Sequence, residues 1–299
     1  MRTTTLLPAA RRAMDAAEER FVSRHLRARF TVPTSVTDES DRLRRDRMQI
    51  IPWLDRTRPL SGTRILEVGC GSGVATVALA EQGSEVIALD VDAGLLRRAE
   101  QRCAAHGVTA TFVPANAAEP LGAAVGDDSM GWVIFWASLE HMTLAERLSA
   151  IRSAWTRLES GGLLTVIETP NRLWLSDSHT SLLPYFNWLP DELAFEYSRF
   201  SPRSGFNDAY REPSATNMLA FLRRGRGVSF HEFELAIGPA RDLDVVACLQ
   251  LDRRRRNRIR SSGWRMSRWG RFEALLRSQT PEVPRAFMQP FLYLSLRKP

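Results

Sequence analysis

Between residues 64 and 171 short apolar runs alternate with segments whose apolar residues recur every three or four positions. The runs at 64–68, 85–92, 110–116 and 163–171 read as strands. The near-continuous apolar run at 131–138 fits a strand covered on both faces of a parallel sheet. Helices are predicted over 74–83, ending at Gly83, and over 93–107, with Leu95, Leu96, Ala99 and Cys103 on one side and Gly107 as terminator. Thr143 and Glu146 form a capping box before Leu144, Leu148, Ile151, Trp155 and Leu158, and Gly161-Gly162 is predicted to end that helix. Two further helices, over 10–30 and 40–56, precede this region.

Strand and helix thus alternate for about 110 residues, the pattern of a doubly wound, mostly parallel α/β sheet. After Asn171 the alternation stops. A stretch rich in proline and aromatic residues follows, then an alternating segment at 228–237 that reads as a strand, and a last strand at 291–297. No repeat or low-complexity linker interrupts the chain. We therefore expect a single domain with N-terminal helices (1–60), a core (61–171), a substrate-side insertion or lid (172–227) and final strands carrying an arginine-rich insertion (228–299).

With 299 residues, 44% hydrophobic and 25% charged, the chain has the composition of a globular protein and not of a disordered or fibrous one. No apolar run approaches the roughly 18 residues of a membrane span, and three cysteines without CxxC spacing suit a reducing, cytoplasmic setting. The net charge of +7 is local: residues 253–271 hold nine arginines and no acid, leaving −2 for the remainder. Such a segment is a solvated face, or a surface for nucleic acid, with Trp264 and Trp269 stacking on bases, for an anionic membrane or for an anionic substrate.

The chemistry concentrates at strand ends. Gly69, Gly71 and Gly73 punctuate the turn between the first strand and its helix, where backbone approaches a ligand at the carboxyl edge of the sheet. Their GxGxG spacing lacks the glycine at 74 that a dinucleotide fingerprint requires, and Asp90 ends the second strand where an acid accepts hydrogen bonds from ribose hydroxyls.

Through LEVGCGSG, ALDVD and FWASLEHM the chain resembles the class I S-adenosylmethionine-dependent methyltransferases over about residues 45–171 and the last strand. The resemblance implies a Rossmann-like, seven-stranded sheet with an antiparallel last strand. It also implies S-adenosyl-L-methionine as cofactor. Gly69, Gly71 and Gly73 would line its methionine part, Asp90 would hold the ribose, and Asn116 and Ala117 would face the adenine. Arg47 would contact the carboxylate, with Glu67, Val91 and Trp136 completing the set.

Two branches resemble the sequence further, the ubiquinone-biosynthesis O-methyltransferases and the enzymes that methylate the 3′-terminal 2′-hydroxyl of small RNAs. Both place Glu-x-x-Glu-His after the fourth strand to bind a divalent cation. Here Glu140 and His141 match, Ala137 replaces the first glutamate, and His179, beyond Thr169-Pro170-Asn171, stands for a later histidine ligand of the RNA enzymes. Asp177 could supply the missing carboxylate. The expected metal set is therefore Glu140, His141, Asp177 and His179, suited to magnesium, manganese, zinc or iron. The competing readings are His141 as a metal-free general base and a purely structural pair. Trp174, Tyr185, Phe186 and Trp188 are expected to wall the acceptor or to pack the insertion.

The expected activity is methyl transfer to a hydroxyl of a small molecule such as a sugar, polyol, phenol or specialised metabolite. RNA ribose 2′-O-methylation is the alternative with nucleic acid as partner, and a non-catalytic S-adenosylmethionine-binding protein is the other. Oligomeric state is not read from the sequence.

Overall fold

The computed structural model describes residues 39–121, 125, 129–203, 214–256, 263 and 267–299. The helix expected over 10–30 and Trp264 lie outside them. The described residues form two compact units, one of residues 174–203 with 214–225, the other of the remainder.

In the larger unit α1 (Glu39–Arg45) runs through a π-helical turn (Asp46–Ile50) into α2 (Ile51–Thr57). Then β1 (Arg64–Val68) leads through the glycine turn to α3 (Val74–Ala80), and β2 (Glu85–Asp90) to α4 (Ala93–Ala105), whose N-cap Asp92 accepts from the N–H groups of Gly94 and Leu95. After β3 (Thr111–Pro114), β4 (Met130–Trp136) is buried at every position. A 3₁₀ turn (Leu139–His141) precedes α5 (Leu144–Arg157), which starts with the expected Thr143–Glu146 capping box.

Two sequence expectations are corrected from here on. The helix ends at Arg157, and β5 (Leu158–Pro170) starts at the next residue, so Gly161 and Gly162 lie inside the strand. The backbone of Gly161 is left-handed (φ +77°), and near this end the β4–β5 register shifts between Met130 and Trp132. The glycine pair marks an irregularity in a strand, not a helix stop.

In the smaller unit α6 (Asp191–Tyr197) and α7 (Ala215–Leu222) close around Leu183, Phe186, Ala194, Phe195 and Phe221. Phe221 meets Phe186 and Phe195 edge-on, at 5.9 and 5.4 Å between ring centroids.

The second correction concerns 228–237, which is helix α8 (Phe230–Ala236), not a strand. Ser229 and Glu232 form a second capping box, and the buried rings Phe230 and Phe233 are spaced for one helix face. The remaining strand is β6 (Asp244–Cys248), followed by α9 (Leu249–Arg256), α10 (Arg268–Gln279) and β7 (Phe291–Arg297).

The sheet order is β3-β2-β1-β4-β5-β7-β6. Strands β1 to β5 pair in parallel, and β7 is antiparallel to both β5 and β6. This is the doubly wound, Rossmann-like fold with an antiparallel last strand. Alternation along β4 feeds two cores, with Val133 and Phe135 among α5-side residues and Trp132, Ile134 and Trp136 among α2- and α3-side residues. The polar groups buried between are paired: Trp132 Nε1 donates to Thr165 Oγ1 at 2.7 Å, and Thr165 meets Ser295 at 2.7 Å. Among the described residues no helix is long and apolar enough to cross a membrane.

Candidate functional site

The three glycines of the first turn share left-handed backbone (φ +76°, +55° and +79°) and differ in what surrounds them. A Cβ on Gly69 would stand 2.6 Å from Cβ of Ser138, and one on Gly73 2.6 Å from Cβ of Ala99. These two let the turn press against the end of β4 and against α4. A Cβ on Gly71 would meet nothing within 4 Å, so this residue faces the open side of the turn.

Asp90 holds that turn in place. Its Oδ2 accepts from the Gly71 N–H at 2.9 Å and its Oδ1 from the Asp92 N–H at 2.9 Å. Each carboxylate oxygen keeps further acceptor capacity for ligand hydroxyls. Ser138 Oγ, beside Gly69, is buried and has no hydrogen-bond partner among the described residues. An open cradle, an anchored acid and an unsatisfied buried hydroxyl fit a nucleoside cofactor of the expected kind.

The other expected cofactor residues have diverse environments. Val91 is exposed (72%) directly after Asp90, Ala117 and Trp136 are buried, and Asn116 Oδ1 accepts from the Ala118 N–H in its own turn. Arg47, expected on the cofactor carboxylate, is instead engaged by Glu81, just past the C-terminal end of α3. The arginines that do reach the strand ends from this helix are Arg42 and Arg45, both ion-paired to Glu168 near the end of β5. Glu39 joins the helix to the glycine turn by accepting from Ser72 Oγ at 2.6 Å and pairing with Arg102.

Glu67 lies under the turn, 1% exposed, accepting from Thr76 Oγ1 at 2.6 Å. Burial pushes its carboxyl up to about 8, against the opposing pull of the Thr76 hydrogen bond. The folded state therefore holds a proton that the unfolded chain releases near its ordinary value of 4.5. The stabilising effect is complete below that value and is lost as pH rises through about 8, with a slope of up to about 1.4 kcal/mol per pH unit inside the window. Denaturant titrations across this range should show the decline in the wild type, and Glu67→Gln should flatten it.

Beyond β4 the chain turns at once. Ala137 is left-handed (φ +49°), and its N–H donates to Ile167 O at 2.8 Å. Glu168, on the neighbouring strand, is left-handed too (φ +62°). Side chains rarely adopt this conformation, and two such residues on adjacent strand ends are strain of the kind that concentrates at functional sites. The 3₁₀ turn then places Glu140 and His141 together, although consecutive strand residues would point apart. Glu140 is fully buried and accepts from Thr169 Oγ1 at 3.0 Å, and its Oε1 lies 4.0 Å from Nε2 of the half-exposed His141. Burial pushes Glu168 up, but Arg45 and Arg42 outweigh it and hold this carboxyl below the usual range.

In the smaller unit, the Asp177 carboxylate accepts from the N–H groups of His179, Thr180 and Ser181 and from the Ser181 hydroxyl. Both oxygens organise their own loop, so Asp177 does not fit the role of metal ligand expected of it. Nδ1 of His179 lies 3.1 Å from Thr180 Oγ1. Tyr185 and Trp188 are exposed and packed as a tilted pair at 5.4 Å, whereas Phe186 and Trp174 are buried.

Sequence reasoning missed Arg147. It is 3% exposed, and its guanidinium donates to the carbonyls of Leu139, Glu140, Arg226 and Gly227 and to Glu232 Oε1. Its signal was present: Arg147 shares the helix stripe of the buried Ala150, Ile151 and Ala154, where an arginine stands out.

A family model described as a methyltransferase domain matches residues 65–162. The chain is 32% identical over 112 residues to the ubiquinone biosynthesis O-methyltransferase of Ralstonia nicotianae, covering 38% of this chain and 45% of the relative. The corresponding enzyme of Methylococcus capsulatus is 29% identical over 113 residues, covering 38% and 46%. The tRNA 5-carboxymethoxyuridine methyltransferase of Escherichia coli is 30% identical over 124 residues, covering 40% and 47%. The chain spans about half the length of these curated relatives. The matched segment runs from β1 through α5 into β5 and so carries the glycine turn, Asp90 and the Glu140–His141 turn. Residues 65–162 thus resemble a methyltransferase domain, set inside a seven-stranded sheet whose last strand is antiparallel, the arrangement of the Rossmann-like methyltransferase fold.

Proposed function

We propose that this protein transfers a methyl group from S-adenosylmethionine to a hydroxyl of a small molecule, with His141 as general base. The observation that carries the reading is the contact of Gly69 with Ser138, which sets the glycine turn directly against the turn holding Glu140 and His141. When bound, S-adenosylmethionine supplies a methyl group already activated by its sulfonium. Gly69, Gly71, Gly73 and Asp90 would hold it, with Val91, Asn116, Ala117 and Trp136 as the proposed remainder of its pocket. The chain must then orient the acceptor and remove its proton. The His141 imidazole takes that proton, and the Glu140 carboxylate stabilises the imidazolium that results.

A second reading rests on the same 4.0 Å approach of carboxylate and imidazole, which is also a pair of ligands for a divalent cation. A cation there would lower the pKa of the acceptor hydroxyl. His179 enters this reading from the sequence resemblance alone.

The test is transfer of labelled methyl to a panel of phenols, sugars, polyols and a short RNA, with and without chelator. His141→Ala should lower kcat by about 10²–10⁴-fold while S-adenosylhomocysteine affinity is unchanged. Chelation should leave the wild-type rate unaltered. A rate restored only by added metal moves the assignment to the second reading. Transfer to RNA alone defeats the small-molecule acceptor, and binding without transfer to any acceptor leaves a cofactor-binding protein.

A further inference from the structure

A cavity of about 430 Å³ opens in the larger unit, lined by Met48, Gln49, Pro52 and Arg56 from the π-helical turn and α2 and by Arg253 and Arg256 from α9. It shares no lining residue with the glycine turn or the Glu140–His141 turn. Its volume lies within the range of small-molecule sites, roughly 300–1,000 Å³.

The pairing of arginines on these helices sets the cavity apart. Outside it, each has a carboxylate within reach: Arg42 and Arg45 have Glu168, Arg44 has Asp41, Arg47 has Glu81, Arg254 has Glu273 and Arg255 has Asp252. The three that line the cavity have none among the described residues. Arg253 donates to the neutral Gln49 Oε1 at 2.9 Å and Arg256 to the backbone carbonyl of Asp252 at 3.4 Å. Burial, and after it the neighbouring Arg256 and Arg45, hold the guanidinium of Arg253 below its usual pKa, which an anion in the cavity would reverse.

We propose that this cavity binds a phosphorylated small organic molecule, its phosphate monoester received by Arg56, Arg253 and Arg256. A tetrahedral dianion presents several acceptor oxygens to more than one guanidinium fork, where a carboxylate satisfies one. Met48, which is 70% exposed, and Pro52 give the organic part an apolar wall. The site is independent of the methyl-transfer reading.

The test is calorimetric titration of the full chain with phenyl phosphate, inorganic phosphate, phenol and a short single-stranded RNA. Phenyl phosphate should bind at one site, inorganic phosphate more weakly and phenol not at all. Arg253→Gln with Arg256→Gln should weaken phenyl phosphate by at least about tenfold, or 1.4 kcal/mol, as should Arg56→Gln alone from the opposite wall. Arg241→Gln, at a surface pair with Glu282, serves as the control and should change nothing. Thermal unfolding and S-adenosylhomocysteine binding report the integrity of each variant. Equal affinity in folded cavity variants overturns the proposal. So does RNA binding with a steep salt dependence in the absence of phenyl phosphate binding, which assigns the arginines to a nucleic-acid surface.

Discussion

Arg147→Met should lower the unfolding free energy by about 3–5 kcal/mol, the range for removing one member of a buried, fully bonded charge cluster. Methionine keeps roughly the unbranched stem of the side chain but donates nothing. The carbonyls of Leu139, Glu140, Arg226 and Gly227 and the Glu232 carboxylate would each lose a donor inside the protein. Two of those carbonyls belong to the 3₁₀ turn that ends in His141. Activity should therefore fall more steeply than stability, through a turn that no longer presents the imidazole. Arg147→Lys should restore little of either, because an ammonium cannot span acceptors on two segments as the fork does. Denaturant unfolding together with methyl-transfer rates at a temperature where each variant is folded separates the two effects. A loss below about 1 kcal/mol would mean that the carbonyls find other donors.

The second large effect separates two glycines of one turn. Gly73→Ala puts a methyl 2.6 Å from Cβ and 2.7 Å from Cα of Ala99, and because Cα is backbone, α3 and α4 must move apart. Strain at φ +79° adds to this, and the expected loss of stability is about 3 kcal/mol or more. Gly71→Ala meets no neighbour and carries only the left-handed conformational cost, about 1–2 kcal/mol. Its methyl nevertheless occupies the open side of the turn. Gly71→Ala should thus remain folded and lose S-adenosylhomocysteine affinity by at least about tenfold, whereas Gly73→Ala should lose the fold first. Unchanged affinity in Gly71→Ala would mean that the cofactor does not lie against this face.

These contrasts also explain what was legible in the sequence. Buried parallel strands write themselves as continuous apolar runs, so β1, β2, β4 and most of β5 could be read, and the glycines with Asp90 marked the turn now proposed to hold the cofactor. The α8 segment was misread because Val228 and Phe230, and then Phe233, Leu235 and Ile237, alternate with other residues as strand positions do, while the spacing of Phe230 to Phe233 and the Ser229–Glu232 box decide for helix. Strand β6 is half-covered and only five residues long, too short for a pattern to stand out. Contacts across long stretches of chain left no local trace. Arg42 and Arg45 meet Glu168 across more than 120 residues, and nothing near Arg47 indicates that Glu81 takes it instead. Asp177 looked like a ligand because it stands two residues before His179 beyond the fifth strand, where it could replace the carboxylate missing at Ala137, and nothing local shows that its oxygens are taken by the N–H groups of Thr180 and Ser181.

The place of β7 carries a consequence for how the protein is made. Strand β6 is synthesised before β7 but touches the sheet only through it, since β7 lies between β5 and β6. On the ribosome β1 to β5 can therefore assemble as they emerge, with the outer edge of β5 open and β6 without a neighbour until residues 291–297 arrive. An unpaired edge of a parallel sheet is a template for other chains. The nascent protein is thus most exposed to misassociation late in translation, and a pause in synthesis between β6 and β7 would prolong that interval.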